Sequence, residues 1–281
     1  MRYLEKLLAA QRANNSWLCI GLDPQPEQLP IEALKWDEPV LPFTRRIIEA
    51  TADLVCAYKP NLGFYMQWGA AGVIALERTI AAVPAHIPVI LDAKIGDIGH
   101  TQAAWGRGLF DEWGVDAITV NPYVGADAVR PLLARRPDKA VYVLARTSNP
   151  GAPQFQGDLT AGEGLSAAVL RQASRWVGPD GGHCGFVVGA TYPAELAAAR
   201  ALAPTASFLI PGIGAQGGDL AAAVGHGAND LAGPVINAGR SVLYASSGVD
   251  FAEKAREAAV RLRDEINARR QLAEVSPVSE Y

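Results

Sequence analysis

Little in this 281-residue chain could cross-link it, carry it through a bilayer or fasten it to a polyanion. Three cysteines are present, Cys19, Cys56 and Cys184, an odd number with no metal-ligand spacing, each inside an apolar run (WLCIGL, LVCAY, CGFVVG). That pattern excludes a disulfide framework and reads as reduced core thiols. No stretch reaches the ~18 consecutive apolar residues that a membrane-spanning helix needs, and the start, MRYLEKLLAAQR, has a helical pattern with charges instead of a signal-peptide pattern. A cytoplasmic protein without a membrane partner is the expectation. Basic excess is missing too: 25 Lys and Arg against 29 Asp and Glu leave a formal charge of −4, which argues against nonspecific nucleic-acid binding. The four histidines, His86, His100, His183 and His226, show no paired spacing for a metal. No motif calls for a metal or an organic cofactor.

What the chain has in abundance is apolar punctuation. Eight short runs recur, at 17–22, 54–58, 87–92, 115–120, 140–145, 184–189, 206–210 and 234–238. They are apolar on successive residues, as strands of a parallel sheet are when both faces are buried. Segments of helical spacing lie between them, at about 40–52, 64–82, 99–113, 124–135, 161–177, 193–202, 218–226 and 250–270. Alternation of this kind builds either an open doubly wound sheet or a closed barrel, and eight units favour a (β/α)₈ TIM barrel. No linker or composition shift divides the chain, so residues 1–281 are expected to form one barrel domain with an N-terminal helix. The tail AEVSPVSEY has few apolar residues and is expected to fray.

Active sites of such barrels gather where the strands end. After the first run comes Asp23, after the second Lys59, after the third Asp92 and Lys94, after the fourth Asn121, and after the fifth Arg146, Thr147 and Ser148. The seventh leads into Pro211-Gly-Ile-Gly-Ala-Gln216-Gly-Gly and the eighth into Gly239-Arg240-Ser241. The third rim, LDAKIGDIGHT, carries the sharpest signal. Residues i and i+2 of a strand share a face, which sets the Asp92 carboxylate beside the Lys94 ammonium, while Asp97 stands in the turn before the next helix, to cap it or to project outward. A structural ion pair with a capping aspartate is the plain alternative. Buried ion pairs are a poor source of stability, however, and Lys59 and Asp23 on neighbouring rims favour a functional cluster. Glycines after the seventh run and Arg240 after the eighth fall where barrels of this type hold phosphate. Asn121-Pro122-Tyr123 reads either as a loop-shaping turn or as a ligand contact.

Together these pieces, GLDPQPE around Asp23, YKPN around Lys59, DAKIGDIGHT at 92–101, TSNPG at 147–151, PGIGAQGGD at 211–219 and AGRS at 238–241, resemble the orotidine 5′-monophosphate decarboxylase family, in the form of its longer bacterial subgroup. Asp-x-Lys-x-x-Asp alone is shared with related sugar-phosphate decarboxylases and synthases. The resemblance implies conversion of orotidine 5′-monophosphate to UMP and CO₂ without a cofactor. It implies Lys94 as proton donor, Asp92 as the carboxylate facing the substrate's own, and Lys59 as a link to the ribose. Asp97 would be given to the site of a partner subunit, so a homodimer is implied, with Thr101 also reaching across. Asp23 would bind ribose hydroxyls and Ser148 the pyrimidine edge, while Gln216, Gly239 and Arg240 would hold phosphate; Ile98 and Pro211 complete the substrate-binding set. Ile95, in place of a basic residue, and His100, in place of a small one, depart from the subgroup and bear on local loop packing. Three rivals stand beside this reading: a magnesium-dependent sugar-phosphate lyase of the same barrel type, a Schiff-base aldolase using Lys59 or Lys94, and a catalytically silent nucleotide-binding protein. Lys59 opposes the first, because a metal site wants a carboxylate at that rim. Flanking carboxylates oppose the second, because they keep a lysine protonated.

Overall fold

The computed structural model describes residues 1–157, 164–178, 180–213 and 217–275. Among the described residues eight strands form one parallel sheet: β1 (Leu18–Leu22), β2 (Ala57–Pro60), β3 (Ile90–Ile95), β4 (Ala117–Val120), β5 (Ala140–Arg146), β6 (His183–Val188), β7 (Phe208–Ile210) and β8 (Val235–Ala238). Their order is β2-β1-β8-β7-β6-β5-β4-β3, and each hydrogen-bonded pair is parallel. Between β2 and β3 the ladder thins to two bridges, Tyr58 to Val89 and Asn61 to Asp92, which close the sheet into a nearly continuous barrel. Strands β1, β2, β4 and β7 are buried along their whole length, as expected of segments that face the barrel interior on one side and helices on the other.

The helical segments differ from the sequence pattern in detail. The stretch at 64–82 is two helices, Leu62–Met66 and Gly69–Ala82. They pack so closely that a Cβ on Gly72 would lie 1.9 Å from the Tyr65 carbonyl oxygen. The stretch at 124–135 shrinks to a 3₁₀ turn and one helical turn, Arg130–Leu133, and 99–113 ends in a π-helical segment, Arg107–Glu112. The second apolar run ends before the strand does: β2 begins at Ala57 and carries Lys59 within it. A last helix, Phe251–Val275, packs against Val40–Thr51, with Phe251 against Phe43 and Arg256 paired with Asp53. Residues 273–275 of the tail continue that helix, and the rest of the tail lies outside the described residues.

The N-terminal helix, Tyr3–Ala13, plugs the end of the barrel where the strands begin. Lys6 Nζ donates to Asp116 Oδ1 at 2.7 Å, just ahead of β4, and Asp116 Oδ2 accepts from Val89 N at 2.8 Å, just ahead of β3. Gln11 Nε2 donates to the Gly233 carbonyl at 2.9 Å, ahead of β8. Cys19 and Cys56 are buried free thiols in the core under this plug, and Cys184 is a partly buried third. No helix among the described residues is long and apolar enough to cross a membrane.

Candidate active site

At the opposite end, where the strands finish, a cleft of about 530 Å³ opens. Asp92, on β3, lies at its centre with both carboxylate oxygens engaged. Oδ1 accepts from Lys94 Nζ at 2.6 Å and from Thr119 Oγ1 at 2.8 Å; Oδ2 accepts from Lys59 Nζ at 3.0 Å and from Asn61 Nδ2 at 3.2 Å. Burial alone would raise the Asp92 pKa, but the Lys59 and then the Lys94 ammonium outweigh it and hold the carboxyl well below the usual range. For Lys59, burial disfavours the charge, yet Asp92 and Asp23 keep its pKa above the ordinary lysine value. The two lysines differ in access. The Lys59 side chain is 5% exposed and that of Lys94 49%, so Lys94 presents its ammonium to whatever enters the cleft.

Lys94 owes its position to an irregular strand. Leu91 pairs with Ile118 and Ile95 with Val120, leaving Asp92, Ala93 and Lys94 opposite the single residue Thr119. Such a bulge re-aims side chains, and Lys94 itself has φ +48°, in the left-handed region. A lysine held there costs roughly 1–3 kcal/mol, a strain found mainly where a site requires it. The ion pair expected from simple alternation along a strand is therefore present, but by a different route.

Asp23 follows β1, the strand paired with β2, and so stands beside Lys59 at the edge of this cluster. Its Oδ1 is buried without a hydrogen-bond partner among the described residues, as is Oδ1 of Asn237 on β8. Burial, reinforced by Asp92, raises the Asp23 pKa even though Lys59 opposes the shift. Gly21 makes room for both: a Cβ there would lie 3.1 Å from Asp23 Oδ2 and 3.4 Å from Asn237 Oδ1. Ser148 and Pro211 line the wall, and Gly239 and Arg240 line the mouth at β8, where the Arg240 side chain is exposed. Gln216 lies outside the described residues.

Other rim residues turn elsewhere. Asp97 Oδ1 accepts from Ile98 N at 2.8 Å, and no hydrogen bond or ion pair joins it to Lys94 within the described chain. Asp97, Ile98, His100 and Thr101 do not line their own chain's cleft, and Ile98 is 55% exposed. Ile95 is buried in the core. Asn121 accepts from Tyr123 N at 3.0 Å and shapes its loop. Arg146 pairs with Glu195 through Nε and Nη2 and stacks over Tyr192, and it does not line the cleft. Asn61, Thr119 and Asn237 entered the cleft unheralded by the rim pattern. Asn61, two residues after Lys59, and Asn237, a lone amide in an apolar run, carried a visible signal; Thr119 carried none.

Fold and site together define a (β/α)₈-barrel protein with an alternating lysine and aspartate array at its C-terminal mouth and an arginine at the end of its eighth strand. Residues 16–255 match the model of the orotidine 5′-phosphate decarboxylase / HUMPS family, and the chain belongs to that family. It is 50% identical over 270 residues to orotidine 5′-phosphate decarboxylase of Thermomicrobium roseum, covering 95% of each chain. Among solved structures it is similar to OMP decarboxylase of Leishmania donovani, with a TM-score of 0.82 at 39% identity over 96% of this chain and 99% of that one. It is also similar to UMP synthase of the same organism, with a TM-score of 0.84 at 42% identity; 96% of this chain is matched, and it spans 57% of the synthase's length.

Proposed function

We propose that this protein decarboxylates orotidine 5′-monophosphate to UMP and CO₂, the last step of de novo pyrimidine nucleotide synthesis. The observation that carries the reading is the Lys59, Asp92, Lys94 array, in which one carboxylate is bonded by two ammoniums and one of these faces the open cleft. Loss of CO₂ leaves an electron pair on ring carbon 6, with no adjacent carbonyl placed to absorb it as an enolate. The Lys94 ammonium stabilises that developing carbanion and delivers its proton to carbon 6. Asp92 cannot escape its charge, so it confronts the substrate carboxylate as an anion. Two like charges ~4 Å apart repel by about 4 kcal/mol at an effective dielectric near 20, which supplies part of the driving force. Preorganised charge and binding of groups that do not react supply the remainder.

The nonreacting groups are the ribose and the phosphate. Asp23 and Lys59 take the ribose, Ser148 and Pro211 the pyrimidine side, and Gly239, Arg240 and Gln216 the phosphate. Ile98 belongs to the substrate-binding set, and Asp97 and Thr101 act in the cleft of a second copy, making the protein a homodimer. The support for this is that no hydrogen bond or ion pair joins Asp97 to Lys94 among the described residues, while Ile98 and Tyr123, in the loops after β3 and β4, expose apolar surface. An ammonium at the second rim, tied into Asp92 at 3.0 Å, disfavours the magnesium-dependent sugar-phosphate reading, which wants a carboxylate there. An absorbance assay of orotidylate loss, run with and without EDTA, tests the proposal: turnover of equal rate in both is expected, and no turnover would overturn it.

A further inference from the structure

We infer that Thr119 is a positioning residue that fixes the Lys94 ammonium, an inference that rests on the decarboxylase reading above. Its hydroxyl is bonded twice, accepting from the main-chain N of Lys94 at 3.0 Å and donating to Asp92 Oδ1 at 2.8 Å. Asp92 Oδ1 also accepts from Lys94 Nζ at 2.6 Å. The three bonds make a closed circuit that leaves the Lys94 backbone, passes through Thr119 and Asp92, and returns to the ammonium of the same lysine. Lys94 is thereby held at both ends of a side chain with four rotatable bonds.

The circuit also answers a local problem of the fold. Across the bulge three residues of β3 face Thr119 alone, so the regular strand ladder is interrupted there. Thr119 is 1% exposed, and its hydroxyl takes up the Lys94 N–H in place of a ladder carbonyl. This anchors the left-handed backbone at Lys94 and orients Asp92 with the same oxygen atom. A hydroxyl is required on both counts, because one group must accept and donate at once. Valine has the shape of threonine but can do neither.

The test compares T119V with T119S in the full-length protein, after the parent has been shown to turn over orotidine 5′-monophosphate; a silent parent would refute the decarboxylase reading and not this inference. In T119V, kcat should fall about 10- to 100-fold, as for a reacting group displaced by around 1 Å. KM for the nucleotide and Kd for UMP should change far less, since phosphate and ribose contacts are untouched. T119S, which keeps the hydroxyl, should restore most of kcat. If T119V melts below the assay temperature, T119A is read in its place. Unchanged kcat in the hydroxyl-free variant overturns the inference, and so does a T119S loss equal to that of T119V, which would show that methyl packing and not hydrogen bonding is what matters.

Discussion

At the end of the barrel where the strands begin, buried polar groups satisfy one another. Tyr3 and Tyr142 share a hydrogen bond of 2.9 Å, Ser207 Oγ donates to Tyr142, and the His183 ring meets Ser207 at 2.7 Å and stacks on Tyr3. At the other end, Asp23 and Asn237 each bury an oxygen without a partner among the described residues, and Lys94 adopts a backbone conformation that lysine disfavours. One mouth is a closed network built for stability. The other holds desolvated and strained groups, which cost stability in the free protein and lower the cost of binding or reaction when a ligand completes them. A barrel can place both on one chain because its two ends share strands but no side chains.

That contrast makes predictions of graded size. Removing the exposed ammonium should break the reactive end alone: Lys94→Ala is expected to lower turnover by about 10⁴-fold or more, through loss of the proposed proton donor and electrostatic stabiliser together, while circular dichroism and oligomeric state stay as in the parent. Substantial residual activity would refute its role. Arg240→Ala, which on the proposed reading removes a charge-assisted contact to phosphate, should reduce kcat/KM about 10- to 100-fold. An analogue lacking phosphate should barely distinguish the variant from the parent, and an equal loss with that analogue would place Arg240 elsewhere.

At the plugged end the handle is pH. Burial pushes the His183 pKa down from 6.5 to about 4, so the unfolded chain binds a proton that the folded one refuses. Between those values unfolding takes up protons, stability falls as pH falls, and the full window is worth up to about 3 kcal/mol. Urea titrations from pH 7 to pH 4 should show that loss, and His183→Gln should flatten it; an unaltered slope would show that other groups govern acid sensitivity. The smallest effect is at the reactive end. Asp23 has a raised pKa, so its contribution to stability is present below the unfolded value near 3.8 and is lost as pH rises through the folded value. At neutral pH its buried charge is a burden, and Asp23→Asn should raise Tm by about 2–4 °C, equivalent to roughly 1 kcal/mol, while impairing turnover. A fall in Tm would mean that the carboxylate is structural.

Several of these residues were visible before any coordinates. Asp23, Lys59, Asp92, Ser148, Gly239 and Arg240 follow or end apolar runs, and all line the cleft. Arg146 stood in the same kind of position and was turned aside, because Glu195 on the helix Pro193–Leu202 offered its fork a bidentate partner. Thr119 was passed over because a threonine inside a β-branched run is ordinary strand material; only the bulge opposite it gives its hydroxyl two tasks.

The sequence by itself determined the alternation of buried strands and helices, and with it which residues stand at a common rim, because burial on both faces and strand ends are local properties written in consecutive residues. Which rim groups touch was decided only by tertiary structure. The pairing of Asp92 with Lys59, Asn61 and Thr119, the left-handed turn at Lys94 and the desolvation of Asp23 all depend on the register between strands distant in the chain. Register and desolvation arise when the barrel closes, and no stretch of neighbouring residues encodes them.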